Sequence, residues 1–168
     1  MRCARGSRRR ALLCVVPALA AAGCGFQLRG TQALPFRTFY PGVPAGSPLG
    51  AELRRAVRLQ GASVVERRDD AQVRFDLLGE ALEREITALS ISGRPREYQV
   101  RLRVRWQARD TSETDLIGAT ELTLRRPITA IDAQGVVSQD EEAALLRDMR
   151  ADAVRQILRR LSTVKVDG

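Results

Sequence analysis

Histidine is absent from the 168 residues. That removes the commonest general base, the usual nitrogen ligand for metals, and every Ser-His or Cys-His nucleophile arrangement. Cysteine is scarce and confined to Cys3, Cys14 and Cys24, so no disulfide can staple the body of the chain and its stability must come from packing. No Cys/His metal spacing, phosphate-cradling glycine loop or nucleophile elbow occurs. The carboxylate pairs Glu83/Glu85 and Glu141/Glu142 fall where solvation or helix capping accounts for them. Nothing here asks for an enzyme, and no cofactor is implied. A long apolar run is missing too: Ala11 to Ala22 spans twelve residues, against the roughly 20 that a membrane-spanning helix requires. Lysine stands only at Lys165, leaving arginine as the cation. Arginine is the better planar partner for phosphate and carboxylate, although a GC-rich genome produces the same bias.

What the chain does contain begins at its N-terminus. Arg2, Arg5, Arg8, Arg9 and Arg10 precede the apolar run, and Ala21-Ala22-Gly23 sets small residues directly before Cys24. A basic, apolar, small-residue order is a secretory signal, because the peptidase needs small side chains at the scissile bond. Ala21-Ala22-Gly23-Cys24 resembles the lipobox of bacterial lipoproteins, with Ala21 where leucine is usual. That resemblance implies acylation of the Cys24 thiol and cleavage before it. Ser7-Arg8-Arg9-Arg10-Ala11-Leu12-Leu13 also loosely resembles a twin-arginine signal, so both export routes stay open, the general one as the default. Removing residues 1–23 leaves 145 residues, a size suited to one domain. The overall charge of +8 then falls to +3, with 23 basic against 20 acidic residues. That is no nucleic-acid footprint. The expected organisation is a signal at 1–23, a lipidated tether at 24–34 and a single domain at 35–166.

Within that domain, Phe36 to Tyr40 reads as a short strand ended by Pro41-Gly42. Ser47-Pro48 opens a helix, serine capping and proline at the first helical position, with Gly61 just past its end. Leu49, Leu53, Ala56, Val57 and Gln60 share one face, and Arg54, Arg55 and Arg58 point elsewhere. Val73, Phe75 and Leu77 alternate with polar residues, a pattern that continues less cleanly through Leu82, Arg84 and Ile86 toward Leu89. After the Ser92-Gly93-Arg94-Pro95 turn, Tyr98, Val100, Leu102, Val104 and Trp106 alternate with Gln99, Arg101, Arg103, Arg105 and Gln107. This is a strand with one buried and one wet side. A third strand is expected over Leu116 to Arg125, ended by Pro127. Ser138 to Glu141 reads as a capping box opening a long helix with Leu146, Met149, Ala153, Ile157 and Leu161 on one stripe. Three acids near its start and Arg159 and Arg160 near its end complement the helix dipole.

The order β-α-β-β-β-α predicts an α+β fold: a two-layer sandwich with two helices packed on one face of a mixed, mostly antiparallel four-stranded sheet. The opposite face stays polar. Its arginines, Arg101, Arg103 and Arg105, would repeat at about 6.6 Å, two strand residues apart. Such a row suits lipid phosphates through bidentate bonds, or simple solvation and pairing with neighbours.

Cys24-Gly25-Phe26-Gln27-Leu28-Arg29-Gly30 resembles the start of the mature LPS-assembly lipoprotein (LptE) family, and Glu97-Tyr98-Gln99 after a glycine-containing turn is a second match. The resemblance implies a non-enzymatic lipoprotein of the Gram-negative outer membrane, anchored on its periplasmic side. It implies a partner, the LptD barrel, which such a protein plugs and helps to assemble, and a ligand, lipopolysaccharide. Gly25 is compatible with sorting to the outer membrane. Family ligand binding is associated with basic residues in the turn before Glu97, where this chain offers Arg94 and Arg96, and in the loop before the last helix. That loop, Thr129 to Ser138, has no basic residue here. Ile128 just before it, with its own Ile131, Val136 and Val137, suggests contact with the barrel wall or an acyl chain, or a loop folded over the core. The alternative function is an auxiliary lipoprotein of another envelope lipid-transport system, which would lack a co-purifying barrel.

Overall fold

The computed structural model describes residues 33–130 and 137–166. Elements run β1 (Thr38–Gly42), α1 (Pro48–Leu59), β2 (Ser63–Val64), a 3-10 turn at Arg68–Asp70, β3 (Val73–Leu89), β4 (Pro95–Arg109), β5 (Asp115–Thr129) and α2 (Gln139–Leu161). The sheet order is β2-β1-β3-β4-β5, with β1 parallel to β2 and β3, and β3, β4 and β5 antiparallel. The expected α+β sandwich is present, with one addition. Two-residue β2 makes the sheet five-stranded, pairing Ser63 and Val64 with Thr38 and Phe39 where the chain leaves α1.

Helix α1 starts as its sequence requires. The Ser47 side chain accepts from the Gly50 amide at 3.1 Å, and Pro48 fills a position where no N–H is needed. It ends at Gly61, whose φ of 86° is the left-handed conformation that glycine adopts without a Cβ penalty. Leu49, Leu53 and Val57 are buried. They pack with Phe39 and Phe75 in the core. Helix α2 begins after Ser138, but the serine side chain makes no capping bond, so the expected capping box is not formed. Its buried residues, Met149, Ala153, Val154, Ile157, Leu158 and Leu161, are the expected stripe without Leu146, which is half-buried.

Three strand irregularities decide which side chains face the helices. Leu77 lies opposite Trp106, but the next pair is Gly79 with Arg105, leaving Leu78 unpaired in a bulge. Because side chains alternate, one extra residue inverts the phase. Val73, Phe75 and Leu77 face the core before the bulge, and Glu80, Leu82, Arg84 and Ile86 take that side after it, opposite Val104, Leu102, Val100 and Tyr98. This is why the alternation in the sequence degrades there. A second shift in β5 places Ile117 opposite Ala108 and Thr120 opposite Trp106. Third, β5 does not stop before Pro127 but runs to Thr129, with Pro127 opposite Gln99. Strand β5 is at the sheet's edge, where one side of the backbone needs no ladder partner, so proline is tolerated.

The helix-facing side carries charges as well as apolar groups, and α2 pairs with them. Glu80 meets Arg150 at 3.0 Å, Arg84 meets Glu142 at 3.4 Å, and Arg126 meets Asp152 at 2.6 Å. The aromatic residues form a row: Phe36 to Phe39 at 5.8 Å, Phe39 to Phe75 at 6.1 Å and Phe75 to Trp106 at 5.5 Å between centroids.

Candidate functional site

The β3–β4 hairpin extends well past β1, which pairs with β3 only from Val73 to Asp76. Its tip is closed by backbone bonds Ser90 N to Arg94 O at 2.7 Å and Gly93 N to Ser90 O at 2.9 Å. The Ser90 hydroxyl accepts from the Arg94 amide at 3.1 Å, and Gly93 supplies the φ of 77° that the turn needs. Arg94 and Arg96 are both exposed at this tip. The Ala130 amide donates to Arg96 O at 2.9 Å, so the end of β5 also lies beside the tip.

Apolar groups that sequence reasoning missed surround these arginines. Leu89 is 59% and Ile91 111% exposed, with Ile86 at 51% and Leu82 at 45% further down β3. Leu82 and Ile86 occupy the helix-facing side, where charges at Glu80 and Arg84 replace the hydrophobic residues that a covered strand would carry. Those interleaved charges were the available signal that α2 meets this half through ion pairs and leaves Leu82 and Ile86 exposed between them. Arg84 also lies over the Tyr98 ring at 5.2 Å from its centroid.

The arginine row on the open face is partly neutralised. Arg101 sits 3.4 Å from Glu83 and 3.4 Å from Glu85, and Arg103 also bonds Glu83. Arg105 is exposed opposite Gly79 on one side and Glu121 on the other. With Arg125 and Glu97 the middle of this face is balanced in charge, a polar surface instead of a cationic stripe. Ile128 and Val137 are core members, 5% and 8% exposed, so those two side chains fill the domain itself. Cys24, Ile131 and Val136 lie outside the described residues.

At the opposite end of the sheet the Asp110–Thr114 turn is clamped by charge. Arg68 bonds Asp76 at 3.1 Å and Glu113 at 3.2 Å, Arg74 bonds Glu113, and Arg109 bonds Asp115 at 2.8 Å. Arg74 is buried and also donates to Arg68 O at 3.0 Å. The hydrogen bond from Arg68 is the main cause that holds the Glu113 carboxyl below its usual range; desolvation opposes it and Arg74 reinforces it. Arg68 and Arg109 are correspondingly raised by their bonds to Glu113 and Asp115. Glu113 has a φ of 60°, unusual for a residue with a side chain. Among the described residues, no group of His, Cys, Asp and Glu is suited to a metal, and no helix is long and apolar enough to cross a membrane.

Sequence and fold comparisons decide the family. The LptE, lipopolysaccharide-assembly, family pattern matches residues 32–161, most of the chain. The chain belongs to this family. An LPS-assembly lipoprotein LptE from Yersinia pestis (strain Pestoides F) is 28% identical over 163 residues, covering 91% of this chain and 75% of the relative. The solution structure of a lipoprotein B from Nitrosomonas europaea is similar with a TM-score of 0.69 and 36% identity, over 82% of this chain and 90% of that one. The rare lipoprotein B of Shewanella oneidensis shares the fold at a TM-score of 0.65 and 19% identity, over 76% and 94% of the two chains. The LptE match spans every element from β1 to α2. It gives the chain the family's general role in lipopolysaccharide assembly.

Proposed function

We propose that this LptE-family chain is a non-enzymatic outer-membrane lipoprotein, cleaved after residue 23, acylated at Cys24 and tethered through residues 24–34. Its domain plugs the LptD barrel, assists that barrel's assembly and binds lipopolysaccharide during insertion into the outer leaflet. The observation that carries the ligand half is the hairpin tip. Exposed Arg94 and Arg96 stand beside exposed Leu89 and Ile91, a cation-plus-apolar pairing that suits a molecule with phosphates on an acylated sugar. The open sheet face supports the plug reading. Its paired arginines and glutamates offer hydrogen bonds without a net field, which fits a polar barrel lumen. Arg101, Arg103 and Arg105 are accordingly assigned to lumen contact first and to phosphate contact second.

Two measurements test this. The doubly substituted Arg94→Glu, Arg96→Glu protein should keep its circular dichroism spectrum and lose at least about tenfold in lipopolysaccharide affinity, a loss of roughly 1.4 kcal/mol. Unchanged affinity would move the site off the tip. Tagged lipoprotein recovered from native membranes should bring a large barrel protein with it in stable 1:1 amounts. Its absence would favour a lipid-transport role without a barrel.

A further inference from the structure

Strand β5 ends the sheet on one side, and no strand pairs with its outer edge among the described residues. A free edge is a template for another strand, and proteins blunt such edges with prolines, bulges and lysines. Here those devices bracket a run and leave its middle open. The bulge between Ile117 and Thr120 bounds it on one side, and Pro127 on the other. From Thr120 to Arg126 the pairing with β4 is unbroken, and the run holds neither proline nor lysine. Its midpoint is Thr123.

The charges of this run lack partners in a matching way. Glu121, Thr123 and Arg125 are exposed on the open face, while Leu122 and Leu124 lie at the margin of the core. Arg125 stands opposite Arg101, a like charge already bonded to Glu83 and Glu85. Like charges directly across a ladder are unfavourable, so an acid on the outer side of Arg125 would relieve it. Glu121 accepts from the Thr123 hydroxyl at 3.4 Å, and neither it nor Arg125 forms an ion pair among the described residues. The other free edge, β3 beyond Asp76, differs. There Glu80, Glu83, Arg84 and Glu85 are each paired within the domain.

We propose that, outside its barrel, the chain pairs with a second copy of itself through the β5 edge, antiparallel and centred on Thr123. In that register Glu121 lies opposite the partner's Arg125, and Arg125 opposite the partner's Glu121. Thr123 meets its own equivalent, and on the helix-facing side Leu122 meets the partner's Leu124. The run is thus complementary to itself in charge and in apolar pattern, which is what a two-fold interface requires. Two five-stranded sheets become one continuous sheet. A single strand edge is a small interface, so the pairing is reversible and is given up when a copy enters the lumen. The edge is covered in the interval before the barrel receives the chain.

The test uses the mature lipidated protein in detergent, purified without a barrel partner, so its outcome is independent of the plug reading. Sedimentation equilibrium in density-matched detergent should show a dimer that dissociates on dilution. Glu121→Arg and Arg125→Glu, with circular dichroism unchanged, should each weaken it at least about tenfold, because one substitution makes two symmetry-related pairs repulsive. The variant carrying both should regain the dimer. Within one copy these positions lie four strand residues apart, about 13 Å, so only pairing between copies gives that rescue. Thr123→Cys reads the register. Mild oxidation should link two copies through a disulfide, since directly opposed Cα atoms lie about 4.5–5.5 Å apart. Exposed Ser92→Cys at the hairpin tip should stay unlinked, and the parent protein, which keeps Cys24, sets the background. Thr123→Cys leaves both charges in place, so this arm decides even where a charge variant misfolds. A monomer at every concentration, a dimer indifferent to both single substitutions, no recovery in the double variant, or equal linking at Thr123 and Ser92 would overturn the proposal.

Discussion

The two ends of the sheet are built on opposite principles from the same few residue types. At the base, the Asp110–Thr114 turn is locked to β3 and the 3-10 turn by Arg68, Arg74 and Arg109 acting on Asp76, Glu113 and Asp115. Fully buried Phe75 and Trp106 stack in the same half of the sheet. At the tip, Ser90 to Arg96 is held by its own turn bonds, and Leu89 and Ile91 stand in solvent. Apolar area contributes to stability only when it leaves water, at about 25 cal/mol per Å². The base therefore carries the stability, and the tip leaves apolar side chains in water. An unspent leucine or isoleucine on a hairpin end is a contact surface, whereas a satisfied arginine at the base is a structural part.

That contrast can be broken from the base first. Trp106→Ala removes the largest fully buried side chain and should cost about 3–5 kcal/mol in urea unfolding. A loss below about 1 kcal/mol would mean that the base is not the core assumed here. Next, Glu113→Gln should lower stability at neutral pH and flatten its dependence on acid. The folded Glu113 carboxyl titrates below its unfolded value near 4.5, so its contribution is full above that value and is lost as pH falls through the folded one. A parent and variant whose stabilities stay parallel from neutral pH into the acid range would remove Glu113 from the clamp. The smallest stability effect belongs to the tip. Leu89→Ser with Ile91→Ser should leave stability within about 0.5 kcal/mol while weakening lipopolysaccharide binding. Equal losses of stability and affinity would erase the distinction between the two ends.

Much of the architecture was legible because its signals are local. The Ser47-Pro48 start and Gly61 end of α1, the alternation of Tyr98 to Trp106 and the apolar stripe of α2 each specify an element from within a dozen or so residues. The candidate site was legible in part. Arg94 and Arg96 do stand at an exposed turn, but their apolar neighbours were hidden by the change of phase at Leu78. Whether Leu89 is covered depends on where α2 lies, and no window of β3 contains that information. Likewise Ile128 and Val137 look like loop residues in sequence, yet β5 continues past Pro127 only because it is an edge strand.

Sequence alone determined the period of each element, the absence of histidine chemistry and the resemblance at Cys24 to Gly30. These depend on bonded neighbours, on composition or on short motifs, and none requires the chain to meet itself. Tertiary structure decided which charges are used up. Arg101 and Arg103 find Glu83 and Glu85 across a strand pair, Arg74 finds Glu113 across 39 residues, and the arginines of α1 find no acid among the described residues. A guanidinium's role is set by what lies within a few ångströms of it, and strand register and helix placement choose those neighbours.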